Sequence, residues 1–267
     1  MMNIPVRVQN LSFSYSAKPI LDNISFSCTS GTFTAILGPN GSGKTTLLRN
    51  ISGWLKPAPG TVFIFDKDTT LLKEKELARR IACLRQEHTG GFDTTVYDLV
   101  FLGRSPYIPY LSGPKETDRS AVADALAQTG IEHLAERNIS TLSGGELQRV
   151  YIAQALAQNA DILLLDEPVT HLDIKYQLEI LSLIKLLQKN NTLTVIAVLH
   201  DLNLAASFSE RIILLKEGTV FKDNTPQKIL TPKNIGMVFG VHVRLAAHPD
   251  TGIPQIMMKY SKEALEK

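Results

Sequence analysis

The chain has 267 residues, enough to bury a sizeable core in one large domain with or without a small subdomain, and one catalytic unit is expected. Hydrophobic residues make up 44% and charged residues 20%, with 17 glycines and 13 prolines, which argues against a disordered class. With 28 basic and 26 acidic residues the formal net charge is +2, so no global field argues for nucleic acid or an anionic membrane, and local sites must carry the function.

Alternation in VRVQNLSFSY and ISFSC reads as short strands, and FTAIL reads as a buried strand running into a Gly-rich turn. The turn opens a predicted helix, KTTLLRNISGW, and beyond Gly60 the segments TVFIF and RIACL read as further strands. From about Thr95 to Asn138 the chain looks helical, broken by Gly103, Pro106, Pro109, Gly113 and Pro114. This is a candidate helical insertion.

An α/β rhythm then resumes: helix from Glu146, strand DILLLD, helix from Ile174, strand TLTVIAVL, helix from Leu202, strand RIILL and hairpin strand TVFKD. Alternating strand and helix predicts a mostly parallel sheet with helices on its faces. From Thr225 a short helical pair precedes possible strands VRLAAH and QIMMK. No internal repeat is visible. Cys28 and Cys83 are too few and too far apart for a zinc cluster or disulfide framework and fit a reducing compartment as buried thiols. The start MMNIPVRVQN lacks the apolar core of a secretory signal, and no apolar run approaches the roughly 20 residues that span a bilayer.

The strongest chemical motif is Gly38-Pro39-Asn40-Gly41-Ser42-Gly43-Lys44-Thr45, a G-x-x-x-x-G-K-[ST] loop between a predicted strand and helix. Its glycines let backbone N–H groups turn toward phosphate oxygens, and the helix N-terminus, including Thr46, adds a favourable dipole. Lys44 supplies a cation, and the Thr45 hydroxyl can ligate Mg²⁺. The bland alternative is a βα turn that binds nothing.

Ile162-Leu163-Leu164-Leu165-Asp166-Glu167 is an apolar strand ending in two carboxylates, resembling the second phosphate-site motif of P-loop ATPases. The run places Asp166 at the carboxyl edge of the sheet, where it can hold Mg²⁺ through water. Glu167 is the candidate to orient the attacking water. Taken alone, such an acidic pair is as readily a helix cap or a solvated turn.

Leu142-Ser143-Gly144-Gly145-Glu146 resembles the signature motif of ABC ATPases and precedes the Asp-Glu strand, as the family's order requires. Ser143, Gly144 and Gly145 ahead of a helix offer a second anion site; in isolation they would read as an N-cap with a flexible glycine pair. The resemblance implies ATP as substrate, Mg²⁺ as cofactor and a head-to-tail homodimer, in which one protomer's signature covers the γ-phosphate held by the other's cradle. It also implies a P-loop NTPase fold of the ABC type, with an N-terminal antiparallel β subdomain and an inserted α-helical subdomain. The expected division is an ATPase domain over residues 1–240, with the insertion at about 88–140, and an extension over 241–267 packed on the same domain.

Further positions follow the same order. Tyr15 resembles the aromatic that stacks on adenine, or else is a core aromatic of a strand. Gln86 resembles the glutamine that reaches the metal and the water, the alternative being an exposed strand-end side chain. Asp173, in Thr170-His171-Leu172-Asp173, resembles the loop that crosses the dimer interface, with His171 its variable member. His200, ending the strand, resembles the switch histidine that contacts the γ-phosphate, although a lone histidine there is more often structural. Departures are mild: Glu146 replaces the commoner glutamine, and Val169-Thr170 is a local variant after Pro168.

LVFLGRSPY, LSGGELQRVYIAQALAQ, HDLNLAA and VFGVHVRLAAHPDTGIPQI look like the ATPases of importers for iron–siderophore complexes, haem and vitamin B12. The implied partners are integral-membrane permease subunits, with a solute-binding protein in the full system, and no nucleic acid. A coupling helix of the permease is expected near Gln86 and the insertion around Phe92 to Tyr110, which puts the chain at the cytoplasmic face of the inner membrane. A zinc, manganese or molybdate importer is the next reading, and a soluble non-transport ABC ATPase such as an iron–sulfur assembly subunit is the alternative class.

Overall fold

The computed structural model describes residues 4–84, 93–109 and 113–258. Strands β1 (Val6–Ser14) and β2 (Pro19–Cys28) form an antiparallel pair, and β3 (Phe33–Leu37) enters the centre of the molecule and leads into α1 (Lys44–Ile51). Next come β4 (Val62–Ile64), β5 (Lys67–Asp68), α2 (Glu74–Ala78) and β6 (Ile81–Leu84). The helical stretch holds α3 (Val96–Phe101), α4 (Glu116–Thr129) and α5 (Gly144–Ala157). The second α/β run is β7 (Ile162–Asp166), α6 (Ile174–Asn190), β8 (Thr194–Val198), α7 (Leu202–Phe208), β9 (Arg211–Lys216) and β10 (Thr219–Asn224). Then follow α8 (Pro226–Ile229), α9 (Pro232–Phe239), β11 (Val243–Ala247) and β12 (Pro254–Met258).

Six strands make the central sheet in the order β10-β9-β3-β8-β7-β6, parallel except for the β9–β10 hairpin. Its middle strands are continuous apolar runs because both faces are covered, and their side chains alternate between two cores. Val195 and Ala197 of β8 point to a core completed by α6, α7 and the C-terminal helices. Ile196 and Val198 point to a core completed by α1 and the antiparallel sheet β2-β1-β4-β5. Each fully buried Val, Leu or Ile contributes about 1.5–3 kcal/mol, so the sheet is the rigid frame on which the loops at its carboxyl edge are held.

The helical stretch has a core of its own: Val96 and Val100 of α3 and Val122 and Leu126 of α4 pack on Val150, Ala153 and Ala157 of α5. Helix α5 also packs against β6, so it belongs to both units. Arg104 fastens the joint, bonding Asp118 of α4 at 3.0 Å and the Ala157 carbonyl of α5 at 2.7 Å while buried.

Several boundaries differ from the sequence reading; β2, read as ISFSC, begins at Pro19 because it pairs along β1 as far as Ser14. Helix α5 starts at Gly144 rather than Glu146, because Ser143 and Glu146 form a reciprocal capping box. Helix α1 stops at Ile51, short of Trp54; Gly53 beyond it adopts φ 75 and leaves the helical path. The strand read as TVFIF ends at Ile64, because Phe65 and Asp66 take φ 48 and 62 in a two-residue turn between β4 and β5. Cys28 is buried as expected, whereas Cys83 is exposed.

Candidate functional site

The cradle is built where β3 hands over to α1. At Gly38 a side chain is sterically barred: a Cβ would sit 2.5 Å from the Leu215 carbonyl and 2.6 Å from Ser42 Oγ. Gly43 caps α1 at φ 95 and brings no side chain to cap it, leaving first-turn N–H groups for an anion. Ser42 donates its N–H to the Pro39 carbonyl at 3.2 Å, and its buried hydroxyl has no hydrogen-bond partner among the described residues. Thr46 is buried within the first turn of α1.

Lys44 is 6% exposed, and its Nζ donates to the carbonyls of Gly38 at 2.8 Å and Pro39 at 3.0 Å. Burial depresses its pKa, opposed by the nearby Glu167 and Asp166 carboxylates. Thr45 Oγ donates to Asp166 Oδ1 at 3.1 Å, tying α1 to the end of β7. Burial raises the Asp166 carboxyl above its ordinary value, with the Thr45 bond pulling it down and Glu167 pushing it up.

Glu167 follows with φ 55, a conformation that costs free energy in a non-glycine residue and collects at functional sites. Its Oε1 lies 2.6 Å from His200 Nε2, and its Oε2 accepts from Thr170 Oγ at 3.1 Å. His200 reaches this carboxylate because β7 and β8 are neighbours, with Asp166 opposite Val198. A cleft of about 520 Å³ runs from Tyr15 across Asn40, Gly41 and Thr45 to Glu167 and His200. Tyr15 is 57% exposed at one end, its ring edge-on to Phe13 at 5.1 Å, so it is not the core aromatic of the bland alternative.

The signature residues stand apart: Ser143, Gly144, Gly145 and Asp173 do not line that cleft. Ser143 Oγ accepts from the Glu146 N–H at 3.3 Å and donates to Glu146 Oε2 at 2.7 Å. Oε2 also accepts from the Ser143 N–H at 2.8 Å, and these bonds hold the Glu146 carboxyl below its usual range. Gly145 is required by close approach, since a Cβ there would lie 2.7 Å from the Tyr176 ring. Asp173 caps α6, accepting from the Tyr176 N–H at 3.2 Å. Gln86 lies outside the described residues.

Sequence reasoning passed over Thr170 as a loop variant. A hydroxyl three residues after the carboxylate was the signal for the bond it makes to Glu167. Another surface also reaches Asp166: a groove of about 570 Å³ between α1, α2 and β6, bordered by Trp54, Leu77, Cys83 and Gln158. Trp54 is 64% exposed on its rim. Asp166 on the groove side and Thr45 on the cleft side are joined by their 3.1 Å hydrogen bond, which links the two surfaces.

The pattern of the family described as ABC transporter matches residues 21–170, more than half of the chain. The chain belongs to the ABC transporter family. This ABC ATPase is 39% identical over 252 residues to the ferric enterobactin transport ATP-binding protein FepC of Escherichia coli (strain K12), a match spanning 94% of this chain and 93% of that one. Among solved structures it resembles an inward-facing transporter described as metal-chelate type, with TM-score 0.85, 30% identity, and coverage of 99% of this chain and 100% of that one. It also resembles the ATP-binding cassette MJ0796 in a dimeric post-hydrolysis state bound to ADP and Pi, with TM-score 0.70, 33% identity, and coverage of 83% and 98%. ATP-binding subunits of ABC transporters hydrolyse ATP to power transport, and the chain is an ATPase of this class.

Proposed function

We propose that this ABC ATPase powers an importer of a metal chelate, with an iron–siderophore complex as the solute and haem or vitamin B12 as the other members of that class. The likeness to a ferric enterobactin ATPase and to a transporter described as metal-chelate type supports the class of solute. The observation that carries the catalytic half is the convergence of Lys44, Thr45, Glu167 and His200 on one cleft, with Glu167 and His200 2.6 Å apart.

In this reading Tyr15 stacks on adenine, while Gly38 to Gly43, Lys44 and the N-terminus of α1 hold the phosphates, the orphaned Ser42 hydroxyl facing a natural acceptor there. Thr45 and Asp166, already 3.1 Å apart, are the pair that would hold Mg²⁺, a hard cation suited to a hydroxyl and one carboxylate plus phosphate oxygens. When bound, the ion neutralises charge on the phosphates. Glu167 accepts a hydrogen bond from the attacking water and orients it in line with the γ-phosphorus, while His200 contacts the γ-phosphate and holds the carboxylate in place. Gln86 is assigned to the same metal and water.

Because Ser143, Gly144, Gly145 and Asp173 stand outside the cleft, each site is completed by a second copy of the chain in a head-to-tail homodimer. The groove bordered by Trp54 and Cys83 suits a short helix of a permease, and its link to Asp166 gives that helix a route to the nucleotide. No helix among the described residues is long and apolar enough to cross a membrane, so the pathway belongs to that separate permease, with a solute-binding protein delivering the chelate. The chain then sits peripherally at the cytoplasmic face of the inner membrane. Residues 1–240 act as the ATPase domain, with a helical insertion at about 88–140, and residues 241–267 as its extension.

Purification of this subunit from detergent-solubilised membranes of its own cell, with mass spectrometry of what accompanies it, tests the reading. A multi-spanning permease encoded beside a solute-binding protein is expected. Soluble partners only, with none of the subunit in the membrane fraction, would contradict it.

A further inference from the structure

The hairpin β11–β12 is hydrogen-bonded to α7 through a side chain that the catalytic reading does not use. Asn203, in the first turn of α7, accepts from the Ile256 N–H at 2.7 Å and donates to the Ile256 carbonyl at 3.3 Å. The amide thus pairs with the outer edge of β12 as a neighbouring strand would, while β11 takes the other edge with Leu245 opposite Ile256. Ile256 is buried, and its side chain joins the main core together with Val243 and Leu245.

The helix so clamped is the one that follows His200. Asp201 caps α7, accepting from the N–H groups of Asn203 at 2.7 Å and Leu204 at 2.9 Å, so His200 is the last residue between the end of β8 and a capped helix. Its side chain is 42% exposed and meets Glu167 through the ring nitrogen at 2.6 Å. Beside it lies a space of about 300 Å³ bounded by Glu167, Thr170, Gln177 and Leu204. Helix α7 borders that space through Leu204, and the adjacent Asn203 ties the helix to β12.

We infer that Asn203 is a positioning residue: by clamping the C-terminal hairpin to α7 it holds His200 in register with Glu167, so that the extension sets the rate of hydrolysis. This rests on the assignment of His200 and Glu167 above. Loss of the amide leaves the N–H and carbonyl of Ile256 unpaired, and α7 relaxes. Nucleotide binding, made by the cradle and Tyr15, is unaffected.

The test is a double-mutant cycle on the full chain, read as single-turnover ATP hydrolysis and as KM for ATP. Asn203→Ala is expected to lower kcat about tenfold with KM within about twofold. In a His200→Ala background it should add no further loss. A normal kcat in folded Asn203→Ala, or an equal further loss in the His200→Ala background, would overturn the inference while leaving the catalytic assignment standing. A normal kcat in His200→Ala alone would remove that assignment and this inference with it. Should Asn203→Ala not fold, Asn203→Asp, which keeps the acceptor for the Ile256 N–H and removes the donor, carries the same cycle.

Discussion

The hydroxyl of Thr45 donates a 3.1 Å hydrogen bond to Oδ1 of Asp166, joining the start of α1 to the end of β7 across 121 residues of chain. The bond stations a carboxylate in a half-buried place where ionisation is unfavourable, and burial raises its pKa accordingly. Such a carboxyl favours the folded state below its unfolded pKa of about 3.9, and that contribution is lost as the pH rises through the folded value. At pH 7.5 the ionised group is therefore a cost to the nucleotide-free protein. Asp166→Asn keeps the shape and can still accept from Thr45. Thermal unfolding should show its Tm at pH 7.5 raised by about 2 °C, with the gain absent at pH 3.5 and the stabilisation by Mg²⁺ with ATP lost.

Lys44 is held by two carbonyls in a buried place that depresses its pKa. Phosphate oxygens would replace those carbonyls with a full counter-charge. Lys44→Ala should fold normally and lose about 100-fold or more in affinity for ATP, measured by titration of a fluorescent ATP analogue. Affinity within twofold of wild type would remove Lys44 from the phosphate site.

The two cysteines differ in accessibility. Burial pushes the Cys28 thiol up to about 12, so it carries almost no thiolate at neutral pH. Cys83 is exposed in the groove bordered by Trp54. Maleimide at pH 7 should label Cys83 alone in the folded chain and both residues after unfolding, as read by intact mass. Permease bound in the groove should protect Cys83.

The strand–turn–helix that carries the candidate phosphate cradle, Gly38 to Thr45, was legible because it is local: glycine spacing, a preceding apolar strand and a following helix lie within a few residues. Order of the α/β elements was legible for the same reason, since buried parallel strands such as Thr194–Val198 are continuous apolar runs. Helix ends were less so, because the start of α5 depends on a side-chain bond between Ser143 and Glu146. The turn at Phe65 and Asp66 escaped notice because neither is the glycine or asparagine that usually marks left-handed backbone.

Contacts that depend on tertiary placement were beyond the sequence. Glu167 and His200 were each assigned through a resemblance, but their 2.6 Å approach requires β7 and β8 to be neighbours. The bond from Asn203 to Ile256 spans 53 residues, and no spacing rule announces it. Thr170, three residues after Glu167, reads in the sequence as a local variant, and its bond to the carboxylate appears only in the fold.

Glu167 is the carboxylate proposed to orient the attacking water, and hydrolysis in this reading depends on it most. Steady-state ATP turnover of Glu167→Gln, which preserves volume and removes the charge, tests that directly. Turnover should fall by about a thousandfold with ATP still bound and the chain trapped as a closed dimer. Turnover within twofold of wild type would contradict the assignment and leave the pair of Glu167 and His200 as structure alone.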